Sequence, residues 1–387
     1  MTSREPEVAL LVGLCRHPQA RWEAEDSLTE LEQLARSAGA LVQEAMLQER
    51  DHLDPRYLIG KGKALEVKRH CTGVDLVILD EELSGSQQRN LEELLGRRVV
   101  DRTGLILDIF AQRAQTREGK LQVELAQLDY LLPRLAGAWT HLERLGGGIG
   151  TRGPGETQLE SDRRRIRTRM GKISRDLEQV RRHRALLRRP RRKVSFPIVA
   201  LVGYTNAGKS SLMNALTQAG VTVQDRLFAT LDPTLRRLVL PEGRVVLLSD
   251  TVGFIRKLPH QLVAAFQATL EEIQEADILL HVVDISHPHA DLQQKAVESV
   301  LGDLGLADRP TILVYNKIDR LGRSPFAWRP ASGRVAVSAK TGARLDDLRQ
   351  EIVHCLNGGV TAVGPTGPTG LTGPTGTAGF TEAAARG

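Results

Sequence analysis

Gly203-Tyr204-Thr205-Asn206-Ala207-Gly208-Lys209-Ser210 follows the apolar run Ile198-Val199-Ala200-Leu201-Val202 and precedes a helical pattern carrying Leu212, Met213, Ala215 and Leu216. Strand, glycine loop and helix in this order, with G-x-x-x-x-G-K-S spacing, let backbone N–H groups close around a polyphosphate while the helix N-terminus supplies a positive end. In that arrangement Lys209 neutralises the β- and γ-phosphates, the Ser210 hydroxyl takes a place on Mg²⁺, and Ser211 follows as a further nucleotide-loop residue. A bare pattern of this kind occurs by accident; a strand before it and a helix after it make it specific.

The next strand ends identify the nucleotide. Arg244 to Asp250 reads as a buried strand ending in a carboxylate, and Asp250-Thr251-Val252-Gly253 has the DxxG spacing that places an Asp near the metal and a Gly amide near the γ-phosphate. The apolar run Thr311 to Tyr315 delivers Asn316-Lys317-Ile318-Asp319. Asp319 can accept from both N1–H and the 2-amino group of guanine, whereas adenine offers neither donor there. Lys317 can lie along the base, and Asn316 can tie this loop to the phosphate loop. Val335-Ala336-Val337 leads to Ser338-Ala339-Lys340, where the Ala339 amide can donate to guanine O6. Each tetrapeptide alone is weak, but in this order at strand ends they specify a GTP/GDP-binding α/β domain.

The chain has 387 residues, enough for two or three domains. Cys15, Cys71 and Cys355 are scattered without metal spacing, which fits a reducing compartment. No stretch approaches a membrane span and no leader pattern opens the chain, so a cytoplasmic protein without a membrane span is expected. The net charge of +6 conceals an asymmetry: Arg152 to Lys193 holds 16 Lys/Arg against 5 Asp/Glu, a local +11, which leaves −5 for the remainder. One dense basic segment on a mildly acidic protein points to a polyanionic partner, the alternative being a solvated helix face.

Along the first hundred residues, strand and helix patterns alternate. Val8–Leu14, Ala40–Leu47, Asp75–Asp80 and Val99-Val100 read as strands. Leu28, Leu31, Leu34 and Ala38 mark a helix closed by Gly39; a second opens at Gly60-Lys61-Gly62-Lys63, and Ser84 caps a third. From Leu105 the pattern is helical. Leu121, Leu125, Leu128, Leu132 and Leu135 step by four and three, as do Ile166, Met170, Ile173, Leu177 and Val180. Two such stripes predict an antiparallel helical hairpin, each helix hiding its seam against the other. The connection Gly146 to Gly155 has six glycines in ten residues, which suits a contact tip better than a simple turn. The expected fold is therefore α/β: an N-terminal α/β subdomain (1–104), a helical hairpin with a glycine-rich tip (105–193), a Ras-like P-loop GTPase domain (194–356) and a disordered tail (357–387). That tail contains five G-x-y triplets from Gly364, too few for an independent triple helix.

The long runs DRTGLILDIFAQRAQTREGKLQVEL from Asp101, GGGIGTRGPGETQLE from Gly146, and GYTNAGKS with its sequels LFATLDPT from Leu227 and DTVGFI from Asp250 resemble the HflX family of translational GTPases. The resemblance covers about Val8 to Leu356. It implies ribosome-stimulated GTP hydrolysis, binding to the large ribosomal subunit, and splitting of stalled or idle ribosomes under stress. By alignment with related GTPases it makes Thr230 the switch residue that closes on Mg²⁺ and the γ-phosphate, with Thr234 in reserve. The catalytic set is then Lys209, Thr230 and Gly253, and the metal set Ser210, Thr230 and Asp250. Two departures stand out. Leu235 occupies a place where family members often carry Thr, and the chain ends in the G-x-y tail where many members have a small C-terminal domain.

Phe254 stands where many GTPases carry a water-orienting Gln after DxxG, so another group, a partner or a second cation must supply the missing stabilisation. Asn206 occupies the loop position that holds K⁺ in related K⁺-activated GTPases; its alternative role is to brace the loop. Arginines at 163, 164, 165, 167 and 169, and again from 181 to 192, make the hairpin the expected rRNA anchor of a monomeric protein. An RNA-binding assembly factor or scaffold that uses GTP as a timer, with little turnover, is the competing reading.

Overall fold

The structure, a computed structural model, describes residues 6–17, 21–138, 154–188, 196–217, 227–228, 230–232, 234–257, 272–321 and 333–359. The glycine-rich connection before residue 154, the basic residues from 189 to 193 and the G-x-y triplets lie outside these residues.

The N-terminal sheet has four parallel strands in the order β2-β1-β3-β4. Here β1 is Val8–Cys15, β2 is Leu41–Glu49, β3 is Leu76–Leu79 and β4 is Arg98–Asp101. Successive side chains of a strand point to opposite faces, and the central strand β1 is apolar on both. Ala9 and Leu11 pack towards α1 (Arg21–Ala38) and α4 (Arg102–Arg113). Leu10 and Val12 pack towards α2 (Lys61–His70) and α3 (Gly85–Leu95). Ser84 caps α3 in a reciprocal capping box with Gln87.

Helix α4 leaves β4 without a loop, because the Asp101 carboxylate caps it by accepting from Gly104 N at 2.8 Å. It runs through the boundary expected between residues 104 and 105, and Ile106, Ile109 and Phe110 join the N-terminal core. The helices that pack as a pair are α5 (Arg117–Ala138) and α6 (Pro154–Arg188). Arg169 on α6 grips Glu124 on α5 through both carboxylate oxygens, at 2.6 and 2.8 Å. Of the expected seam, Ile173 and Leu177 are buried, whereas Leu121, Leu125, Leu128 and Leu132 are half-buried. The most buried face of α5 is a different one: Val123, Ala126 and Tyr130 join the core, and Gln122 beside them is buried as well.

The second sheet has six strands in the order β10-β9-β8-β5-β7-β6. Its members are β5 (Ile198–Gly203), β6 (Thr234–Val239), β7 (Val245–Asp250), β8 (Ile278–Asp284), β9 (Thr311–Asn316) and β10 (Arg334–Ala336). All pairs are parallel except β6 with β7. One face of β5, Val199 and Leu201, meets α7 (Lys209–Thr217) and α9 (Leu345–Leu356), while α8 (Ala290–Asp303) covers the opposite face. Its other face, Ala200 and Val202, belongs to the same continuous core as Leu11, Ile106 and Phe110 of the N-terminal unit. The two sheets therefore share one core. Among the described residues no helix is long and apolar enough to cross a membrane.

Candidate active site

The phosphate loop forms where β5 ends at the centre of its sheet and α7 begins, the position at which a parallel sheet presents its carboxyl edge to a ligand. Gly208 has φ +93°, and a Cβ there would strike the Asn316 side-chain nitrogen, so only glycine fits. Asn206 adopts φ 59°, and its carbonyl accepts from Lys317 Nζ at 2.8 Å. Lys209 is buried inside the loop, donating to the carbonyls of Tyr204 (2.8 Å) and Gly203 (3.1 Å). Burial draws its pKa down to about 8, against the opposing pull of Asp250.

Three oxygens meet at the start of α7. Ser210 Oγ and Thr230 Oγ1 each lie on Asp250 Oδ2, at 2.6 and 2.8 Å, and 2.9 Å from each other. Asp250 Oδ1 is buried without a hydrogen-bond partner. Two hydroxyls and a carboxylate with spare acceptor capacity are a donor set for a hard divalent cation, so the residues fit Mg²⁺. Thr234, the reserve candidate, starts β6 and turns its hydroxyl to Met213 Sδ at 3.8 Å. Gly253 passes so close to the loop that a Cβ would lie 2.7 Å from Thr205 Cα and 2.9 Å from Lys209 Nζ. Phe254 is stitched to the same loop through its backbone: its N donates to Gly203 O at 3.1 Å and its carbonyl accepts from Thr205 N at 2.7 Å.

The loops that follow β9 and β10 come together beside the phosphate loop. Asn316 donates to Ala207 O at 2.9 Å and so ties them to the phosphate loop. Ala339 N donates to Asn316 Oδ1 at 3.0 Å, while Ser338 Oγ donates to Asp319 Oδ1 at 2.6 Å. Lys317 also pairs with Asp284, at the end of β8, at 2.7 Å. Lys340 is exposed beside this group.

Several residues at the site were not visible as site residues in the sequence. His281, buried on β8 within an otherwise apolar strand, is held neutral with a pKa of about 4 by burial and by the charge of Lys209. A polar group interrupting an apolar run was its only signal. Tyr204 was expected as a phosphate-loop residue, but not its partners: its Oη donates to Glu30 Oε1 at 2.6 Å and accepts from Arg256 N at 2.9 Å, joining the phosphate loop to the N-terminal unit. Behind it Arg102, fully buried, pairs with Glu30 and with Asp80 at 2.6 Å. Lys257 reaches Asp80 and Glu81, both at 2.7 Å, and Arg256 approaches Asp26 at 3.5 Å. Burial works to raise the Asp80 pKa, but the cations Arg102 and Lys257 outweigh it and hold it below the usual value. Glu30, buried more than its partners offset, is raised.

Residues 25–111, 113–191 and 198–317 match, in turn, the families described as GTP-binding GTPase N-terminal, GTP-binding GTPase middle region and 50S ribosome-binding GTPase. The chain is 54% identical to the GTPase HflX of Caldanaerobacter subterraneus subsp. tengcongensis over 352 residues, covering 90% of this chain and 81% of that protein. The chain belongs to the HflX GTPase family. Against the Escherichia coli (strain K12) HflX it is 50% identical over 341 residues, covering 87% of this chain and 80% of the relative. The crystal structure of the SsGBP–GDP complex aligns with a TM-score of 0.51 at 25% identity, covering 92% of this chain and 99% of that one. A GTPase domain thus follows an N-terminal α/β unit and a helical middle region.

Proposed function

We propose that this HflX-family protein hydrolyses GTP on the large ribosomal subunit and uses the cycle to split stalled or idle ribosomes in the cytoplasm, acting as a monomer. The observation that carries the reading is the basic outer face of α6. Arg164, Arg165 and Arg167 are exposed there, Arg165 only loosely held by Asp162 at 3.4 Å, while the seam residues Ile173 and Leu177 are buried. Guanidinium forks suit phosphate oxygens of rRNA, and the glycine-rich segment before α6 is the proposed tip. We divide the chain into units at 1–104, 105–193, 194–356 and 357–387, with α4 bridging the first two.

In the proposed site the loop from Gly203 to Ser211 holds the phosphates and Lys209 neutralises them. Asn316, Lys317, Asp319, Ser338, Ala339 and Lys340 form the base pocket, with Asp319 reading guanine. Ser210, Thr230 and Asp250 would hold Mg²⁺, which when bound offsets charge on the β- and γ-phosphate oxygens. The Gly253 amide faces the γ-phosphate. Phe254 has no donor to orient a water, so intrinsic turnover is slow and the partner completes the site; K⁺ at Asn206 is a second source of positive charge. Phosphate release is the test, measured with and without purified large subunits, in K⁺ and in Na⁺ buffers of equal ionic strength. Stimulation by subunits is expected, with faster turnover in K⁺. Rates indifferent to subunits would leave a GTP-timed scaffold, and equal rates in both salts would remove K⁺ from the mechanism.

A further inference from the structure

The segment between the phosphate loop and β6 does more than carry Thr230. Its apolar residues Leu227, Phe228 and Leu231 are buried in the shared core. The Phe228 ring meets Phe110 of α4 edge-on, with centroids 4.8 Å apart and planes at 83°. Leu227 N donates to Ser37 Oγ of α1 at 3.1 Å. Two residues beyond Thr230, the Asp232 carboxylate sits on the N-terminus of α5. It accepts from Gln115 N at 2.8 Å and Thr116 N at 3.0 Å, and from the Thr116 hydroxyl. Thr116 in turn caps α5 by accepting from Gly119 N at 2.9 Å. A Cβ on Gly119 would collide with Asp232 Oδ1, so the carboxylate reaches its seat only because residue 119 is glycine. An acid from one domain thus completes the cap of a helix in another, where free N–H groups and the helix dipole favour a negative charge.

We infer that Asp232 is a positioning residue for GTP hydrolysis: by docking on the N-terminus of α5 it holds Thr230 against Ser210 and Asp250, and it ties that switch position to the root of the α5–α6 pair. The geometry is short and direct. Only Leu231 separates Thr230 from Asp232, and Leu231 is itself buried, so the threonine hydroxyl cannot leave Asp250 far while the carboxylate stays seated. The same link works in reverse, since movement at the start of α5 pulls on the segment that bears Thr230. The inference rests on the proposed role of Thr230.

The experiment compares Asp232→Ala, Asp232→Asn, Gly119→Ala and Thr230→Ala in the full chain. Gly119→Ala leaves the acid intact and favours the helix, yet evicts the carboxylate, so a lost fold does not explain a shared phenotype. Asp232→Ala and Gly119→Ala are expected to lower kcat about tenfold, a cost typical of a misplaced group, with GDP affinity within about twofold of wild type. Asp232→Asn, which keeps one acceptor oxygen, falls between. Amide hydrogen exchange over residues 113–121 supplies a readout independent of turnover. With a non-hydrolysable GTP analogue these amides should exchange more slowly than with GDP, and the difference should vanish in Asp232→Ala. If Thr230→Ala hydrolyses GTP normally, the reading of the site itself fails. If Thr230→Ala is impaired but both Asp232→Ala and Gly119→Ala keep wild-type kcat, the positioning role of Asp232 is overturned. A nucleotide-dependent exchange difference that persists in Asp232→Ala overturns it equally.

Discussion

At the scale of single residues, the site is governed by which charges are buried and what faces them. Lys209 is buried against two carbonyls, and its pKa of about 8 lies well below that of an ordinary lysine. A polyphosphate beside it favours the charged form, so the bound-state pKa is higher. Between pH 8 and that higher value, nucleotide binding takes up a proton, and GDP affinity falls as pH rises, by at most about tenfold per pH unit. Calorimetry in two buffers of unlike ionisation enthalpy should detect the uptake at pH 9 and little of it at pH 7; equal apparent enthalpies at pH 9 would contradict it. At the proposed base pocket, Asp319 has one oxygen engaged by Ser338. If it reads guanine, Asp319→Asn should cost GTP about 2–4 kcal/mol and gain affinity for xanthosine triphosphate, whose 2-oxo group needs a donor. Competition binding with the two nucleotides measures both, and unchanged GTP affinity would sink the assignment.

At the scale of elements, Asp101 decides how three of them meet. Its side chain is 0% exposed and accepts from Leu83 N (3.0 Å), Gly104 N (2.8 Å), Tyr130 Oη (2.7 Å) and Arg134 Nη2 (2.8 Å). The loop before α3, the start of α4 and the middle of α5 are thereby fixed to the end of β4. The Arg134 guanidinium also lies 3.5 Å from the centroid of the Tyr130 ring. Asp101→Ala would strand the half-buried Arg134 charge and remove the α4 cap together, so a loss of about 3–5 kcal/mol is expected in urea unfolding. A midpoint close to wild type would mean that water replaces the carboxylate. The heptad stripe of α5 was legible in the sequence because apolar spacing is local. Its more buried face was not, since Gln122 and Tyr130 are not residues that spacing alone assigns to a core. Their burial follows from the neighbouring helices, since α5 packs against α3, α4 and α6.

At the scale of the whole molecule, the GTPase domain and the N-terminal unit are joined by an apolar core and by an electrostatic seam. The four carboxylates Asp26, Glu30, Asp80 and Glu81 face Arg102, Arg256 and Lys257. Arg256 and Lys257 lie three and four residues beyond Gly253 of DxxG, so this segment, like the one that bears Thr230, is docked on the N-terminal unit. The excess positive charge lies elsewhere, on α6. On the proposed reading, reversing Arg163, Arg164 and Arg165 to Glu weakens large-subunit binding and flattens its salt dependence, because each phosphate no longer neutralised releases no counterions. Basal GTP hydrolysis should survive, as those side chains touch none of the groups around Lys209. Co-sedimentation across a salt series is the check, and wild-type affinity throughout would reduce the cluster to a solvated face.

The sequence by itself determined where the loops of the candidate site stand along the fold. The spacing from Gly203 to Ser210, the Asp at the end of β7 and the NKxD after β9 each act within a few residues of a strand end, where backbone geometry fixes side-chain position. It also determined which stretches alternate as strands and which repeat as helices. Only the tertiary structure decided what lies against those loops. Tyr204 meets Glu30 across 174 residues of chain, Lys257 meets Asp80 across 177, and Leu227 meets Ser37 across 190. Local pattern reports which face of an element is apolar, not which distant element will cover it. A buried Arg102 or a docked Asp232 follows from that second choice, made by packing two sheets around one core.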